Sequence, residues 1–150
     1  MKRLITLLLI ISISLTLYAQ DNLLKTEKDK AEKSPAPIAP YSNAKSALGF
    51  LFVSGQIGID PANNQLIKDD FRKEVTQVMN NIGAVLKENG MTYNNIVKCT
   101  VYLTDMNNYG LMNEVYASFF EKNNYPVREA IQVVKLPKGA NVEISVIAAP

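Results

Sequence analysis

The chain has no histidine, no tryptophan and a single cysteine, Cys99, among its 150 residues. Without histidine, the commonest general base and metal ligand is missing, and every Ser-His or Cys-His nucleophile pair is excluded. One cysteine forms neither an intramolecular disulfide nor a multi-cysteine zinc site. No cofactor or metal is expected. There is also no excess of charge. The formal value is +2, and Lys2 and Arg3 lie in a segment expected to be removed, which leaves fourteen basic residues against fourteen acidic ones. A balanced chain has no general pull on nucleic acid or acidic membranes. Nor is there an apolar run long enough for a membrane span: Leu4 to Leu17 is about 14 residues, against the roughly 18 or more required.

What is present begins with a three-part leader. Met1-Lys2-Arg3 is a short positive head, the Leu/Ile-rich run follows, and Tyr18-Ala19 meets the polar Gln20-Asp21. This is the form of a secretory signal peptide over 1–19, cut after Ala19. The mature protein is then exported, periplasmic or secreted, with no stable membrane association after cleavage; an uncleaved anchor is the alternative. Residues 20–35 read as a polar linker running into prolines that stiffen the chain, and the domain is expected over 36–150.

Within the domain the alternation of apolar positions predicts strands at 42–47 and 50–59, joined at Leu48-Gly49. A helix capped by Asp69 or Asp70 carries Val75, Val78, Met79, Ile82, Val85 and Leu86 on one stripe and stops at Asn89-Gly90. A strand at 96–104 places Val97, Cys99, Val101 and Leu103 on one face, so Cys99 reads as a small buried hydrophobe rather than a reactive thiol. A second helix over 109–122 buries Met112, Val115, Tyr116, Phe119 and Phe120, with Asn113 as a polar neighbour. Strands at 127–135 and 142–149 close the domain. The order β-β-α-β-α-β-β gives an α+β fold with a mixed sheet and both helices on one face. The last strand is apolar on both faces apart from Glu143 and Ser145, which favours cover by another subunit.

Two charges stand in these apolar strands. Arg128 shares a face with Ala130 and Gln132, and Glu143 shares one with Ser145 and Ile147. A guanidinium on a strand is suited to gripping a planar carboxylate with two parallel hydrogen bonds. A carboxylate nearby can orient or deprotonate a water. Equally, the two can form a structural ion pair or face solvent. If the last two strands made a tight hairpin about Lys138, the pair would lie roughly 20 Å apart along the ladder. They then meet only if the strands are not a simple hairpin or if two subunits build the site.

The wording of the domain is specific. Pro126-Val127-Arg128-Glu129-Ala130-Ile131, Leu136-Pro137-Lys138 and Val142-Glu143-Ile144 closely resemble the signature of the Rid family, the reactive intermediate deaminases also called the YjgF family. Ile38-Ala39-Pro40-Tyr41-Ser42, Phe52-Val53-Ser54-Gly55-Gln56-Ile57, Val101-Tyr102-Leu103-Thr104-Asp105 and Asn113-Glu114-Val115-Tyr116 resemble its other motifs, in order. The resemblance implies a chorismate-mutase-like homotrimer with sites between subunits. It also implies hydrolysis of small 2-imino or enamino acids, such as 2-aminoacrylate or 2-iminobutyrate, to 2-oxo acids and ammonia. By the same resemblance Arg128 holds the substrate carboxylate and Glu143 positions the attacking water. Tyr41, Ser54, Asn113 and Ala130 match other residues of the pocket. Ala130 stands where many members have cysteine, and Glu129 where a small or apolar residue is usual. A non-catalytic carboxylate-binding module is the alternative reading. A ribonuclease or translation inhibitor, a label some relatives carry, is disfavoured by the balanced charge and the missing histidine.

Overall fold

The computed structural model describes residues 14–16, 18–20 and 33–150. The expected leader and linker fall largely outside these; residues 14–16 and 18–20 are helical. Residues Lys33–Pro150 form one compact unit. Its first residues are already engaged. Pro35 is buried, and the Ser34 amide and hydroxyl donate to Glu88 at 2.9 and 3.0 Å.

A hairpin opens the unit, β1 (Ala44–Ala47) and β2 (Phe50–Gln56). Leu48 and Gly49 at its turn both have positive φ, 51° and 84°, the backbone that makes a two-residue loop follow the strand twist. A small second hairpin follows, β3 (Ile59–Asp60) with β4 (Gln65–Leu66), where a single longer strand was expected. Helix α1 (Phe71–Glu88) starts at Asp70, whose carboxylate accepts from the amides of Arg72 and Lys73. Its whole apolar stripe is buried, from Val75 to Leu86. Strand β5 (Ile96–Leu103) leads to α2 (Tyr109–Ala117), and β6 (Val127–Gln132) and β7 (Val142–Ala148) complete the chain.

The main sheet runs β1-β2-β7-β5-β6. Strands β5 and β6 are parallel and the other pairs antiparallel, so the sheet is mixed. Both helices cover one face, where Leu51, Val53, Cys99, Val101, Val142, Ile144 and Val146 meet Val78, Met79, Ile82, Met112 and Tyr116 in one core. The last two strands do not form a hairpin. Strand β5 lies between them, because a parallel β5–β6 pair requires a crossover, and α2 supplies it. The ladder slips between Ile96 and Lys98, which takes Val97 off the core face where simple alternation placed it, and it is exposed. Helix α2 ends at Ala117, five residues short of the expected stop, although Phe119 and Phe120 beyond it still pack on the core.

The other face of the main sheet is uncovered in a single chain. It carries Phe50, Phe52, Val127 and Ile131, which are 43 %, 45 %, 70 % and 46 % exposed. Glu129 also lies there, paired with Lys98 at 2.9 Å and accepting from the Thr100 hydroxyl at 3.1 Å. That is why this departure beside Arg128 does not disturb the arginine: the two point to opposite faces.

Candidate functional site

Arg128 stands opposite Cys99 in the parallel register, on the helix-covered face. Because β6 is an edge strand, its side chain reaches the gap between sheet and α2. There its Nη2 donates to Asn113 Oδ1 at 2.6 Å and to the Tyr109 hydroxyl at 3.3 Å, and Nη1 reaches Met112 Sδ at 3.9 Å. The guanidinium carbon lies 4.6 Å from the Tyr116 ring centre and 5.7 Å from that of Tyr109. Tyr109, Asn113 and Tyr116 lie three and four residues apart, so one turn-to-turn stripe of α2 presents all of them to the arginine. A hydrogen-bonded guanidinium between aromatic faces loses little further entropy when it grips a ligand. Beside it a cavity of about 300 Å³ is lined by Asn113, Tyr116, Tyr125, Pro126 and Arg128.

Beneath the arginine, the Tyr116 hydroxyl donates to the buried Cys99 sulfur at 3.2 Å. Burial pushes the Cys99 thiol up to about 11 and the Tyr116 hydroxyl well above the usual phenol range. Such a thiol is protonated and inert, as its place on the apolar face suggested. Ala130 packs against the same core two residues beyond Arg128 and lines neither this cavity nor the next.

Glu143 stands opposite Tyr102, on the face away from the helices. It enters a second cavity of about 340 Å³ with Tyr41, Ser54, Ile38, Ile57 and Pro137. The Ser54 hydroxyl donates to the Ser42 carbonyl at 2.7 Å, and the Tyr41 amide donates to the Ala39 carbonyl at 2.8 Å; these bonds fold the entry segment against β2. Burial raises the Glu143 carboxyl above its ordinary value. Its neighbour Gly55 lies where the β2–β7 register slips. A Cβ there would stand 2.6 Å from Cδ of Glu143 and 2.9 Å from its Cγ. Gly55 is thus the space that the glutamate occupies, and a glycine inside a strand is the sequence signal for such a close approach.

The sequence-expected residues therefore form two clusters. Arg128 and Asn113 lie in one, Glu143, Tyr41 and Ser54 in the other. The hairpin objection is removed, yet the two charges still do not meet in one chain. By register they are three residues apart along the strands and two strands apart, roughly 14 Å between Cα atoms. Their side chains also leave opposite faces of the sheet. Sequence reading missed Gly55, Tyr109 and Tyr116. The two tyrosines carried a signal in their spacing from Asn113.

One further residue secures the Glu143 strand. Glu74, in the first turn of α1, is fully buried and accepts from the Asn141 amide at 2.7 Å and from its side-chain Nδ2 at 2.8 Å. The Asn141 carbonyl in turn accepts from the Thr104 amide at 3.0 Å. These bonds fix the chain two residues before Glu143.

Residues 31–150 match the sequence profile of the Endoribonuclease L-PSP family. A RutC family protein of Pyrococcus horikoshii is 46 % identical over 117 residues, covering 78 % of this chain and 92 % of that protein. The mouse protein named 2-iminobutanoate/2-iminopropanoate deaminase is 44 % identical over 116 residues, 77 % of this chain and 84 % of its own. A solved structure of a Rid family protein from Yersinia pestis superposes with a TM-score of 0.76 at 43 % identity, over 79 % of this chain and 94 % of that one. The two-cluster geometry thus stands in a mixed-sheet α+β fold shared along nearly the whole domain, and the chain belongs to the Endoribonuclease L-PSP family, also known as the YjgF or Rid family.

Proposed function

We propose that the protein hydrolyses small 2-imino or enamino acids to 2-oxo acids and ammonia, at sites formed where the Arg128 cluster of one copy faces the Glu143 cluster of the next. The observation that carries this reading is the separation of the two clusters. A half-site with an anchored guanidinium and a half-site with a half-buried carboxylate stand on opposite faces of one sheet, while that sheet exposes large apolar side chains. A closed ring of copies, a trimer as the family resemblance implies, covers that apolar face and brings complementary half-sites together. The deaminase name of the mammalian relative supports the chemistry.

In this reading Arg128 grips the substrate carboxylate through two parallel N–H donors, with Asn113 holding the guanidinium. Glu143 accepts a proton from water as the oxygen attacks the imine carbon. The C–N π bond opens and its electron pair passes to nitrogen. Glu143 returns the proton to that nitrogen, which gives a carbinolamine. It then takes the hydroxyl proton and passes it to the amino nitrogen; the C–O π bond forms as the C–N bond breaks, and ammonia leaves with the 2-oxo acid. An imine carbon is already electrophilic, so orienting the carboxylate and placing water supply most of what the step needs. Ser54 and Tyr41 line the water side.

The test is turnover of freshly generated 2-iminobutanoate by the purified protein, followed as 2-oxobutanoate. Acceleration lost in both Arg128→Ala and Glu143→Ala supports the reading. Binding of 2-oxobutanoate with no turnover would leave a carboxylate-binding module instead. We also propose that 1–19 is a leader removed on export; an intact mass that begins at Met1 would refute it.

A further inference from the structure

We propose that the Tyr109 hydroxyl is an additional carboxylate ligand, held on Arg128 in the empty site and exchanged onto the substrate when it binds. The inference rests on the reading that Arg128 receives a carboxylate. Nη2 carries two N–H bonds and meets two acceptors, Asn113 Oδ1 at 2.6 Å and the Tyr109 hydroxyl at 3.3 Å. Both two-nitrogen edges of a guanidinium, Nε with Nη2 and Nη1 with Nη2, include that nitrogen. A bidentate carboxylate therefore has to displace one of the two.

Tyr109 is the one that yields. Its bond is the longer, and it is 39 % exposed. Asn113 is half-buried one turn further in, with a short bond to the charged group. A phenol oxygen that accepts from Arg128 still carries its own proton. Once the carboxylate takes the guanidinium edge, that O–H lies beside a carboxylate oxygen and turns from acceptor to donor. The bond it gains, to a full negative charge, is stronger than the one it gives up. Tyr109 then favours ligands with a carboxylate over neutral ones that merely fill the same space.

The experiment is calorimetric titration of the purified full oligomer with 2-oxobutanoate and, in parallel, with its neutral amide 2-oxobutanamide. Wild type, Tyr109→Phe and Arg128→Ala are compared. Tyr109→Phe removes one oxygen and keeps the ring. It is expected to bind 2-oxobutanoate about tenfold more weakly than wild type, with no difference for the amide. Equal or tighter binding of the acid by Tyr109→Phe, while Arg128→Ala abolishes it, overturns the role of Tyr109 alone. Arg128→Ala binding the acid as wild type does would overturn the carboxylate reading of Arg128, and this inference with it.

Discussion

Replacing Gly55 by alanine displaces Glu143 without changing that residue. The backbone at Gly55 is outside the positive-φ region, so alanine fits the local conformation. What the new methyl meets is the glutamate: Cδ at 2.6 Å and Cγ at 2.9 Å, against about 3.5–4.0 Å for a normal carbon contact. The Glu143 side chain has to rotate out. It is half-buried and has room to do so, which keeps the cost in stability to about 1 kcal/mol, a melting shift of about 5 °C. The cost in rate is larger: in the proposed mechanism Glu143 is the general base, and its displacement is expected to lose a factor of about 10²–10⁴. The assay is kcat/KM for 2-iminobutanoate, with Glu143→Gln and the Gly55→Ala/Glu143→Gln double variant alongside. If Gly55→Ala acts only through Glu143, the double variant is no slower than Glu143→Gln. Gly55→Ala within threefold of wild type, or a double variant with multiplied losses, would show that Gly55 does not act through Glu143.

Other expectations follow from the same geometry. Arg128→Lys keeps the charge but loses the planar fork, so kcat/KM falls about 100-fold in the same assay, mainly through KM. Burial raises the Glu143 carboxyl, so the rate falls on the acid side at a pH above the ordinary carboxylate value, and Glu143→Gln removes that limb. The linked effect on stability has a definite sign. A raised folded pKa favours the protonated form, a contribution complete below the unfolded value and lost as pH rises through the folded one. Glu143→Gln therefore melts with wild type at low pH and above it at neutral pH. Cys99 resists thiol reagents until the protein unfolds, and fast labelling of native protein would contradict its burial. Glu74→Ala strands the Asn141 amide and side chain and leaves a void, costing about 3 kcal/mol in denaturant unfolding.

Most of the fold was legible because it rests on periodicity. The stripe of α1, the Asp70 cap, the Leu48-Gly49 turn and the alternation of β7 each follow from local chemistry. Strand order did not follow. Whether β6 and β7 form a hairpin depends on which neighbour β5 accepts, and the crossover through α2 that sets β6 parallel to β5 lies outside the last two strands. Likewise the register slips that expose Val97 and admit Gly55 beside Glu143 belong to pairs of strands rather than to either one. At the site, Arg128 and Glu143 stood out as charges in apolar strands. Their facing apart was implicit in the strand order. Ala130 was drawn in by its place in the motif, and it packs into the core because β6 turns that side toward the helices.

The central claim is that Arg128 and Glu143 serve one site from two different copies of the chain. Co-expression of Arg128→Ala with Glu143→Ala, each inactive alone, tests it most directly. In randomly mixed oligomers about one interface in four joins an intact Arg128 to an intact Glu143. Recovery of about a quarter of wild-type kcat is expected; mixed oligomers as inactive as their parents would mean that both residues act within one chain.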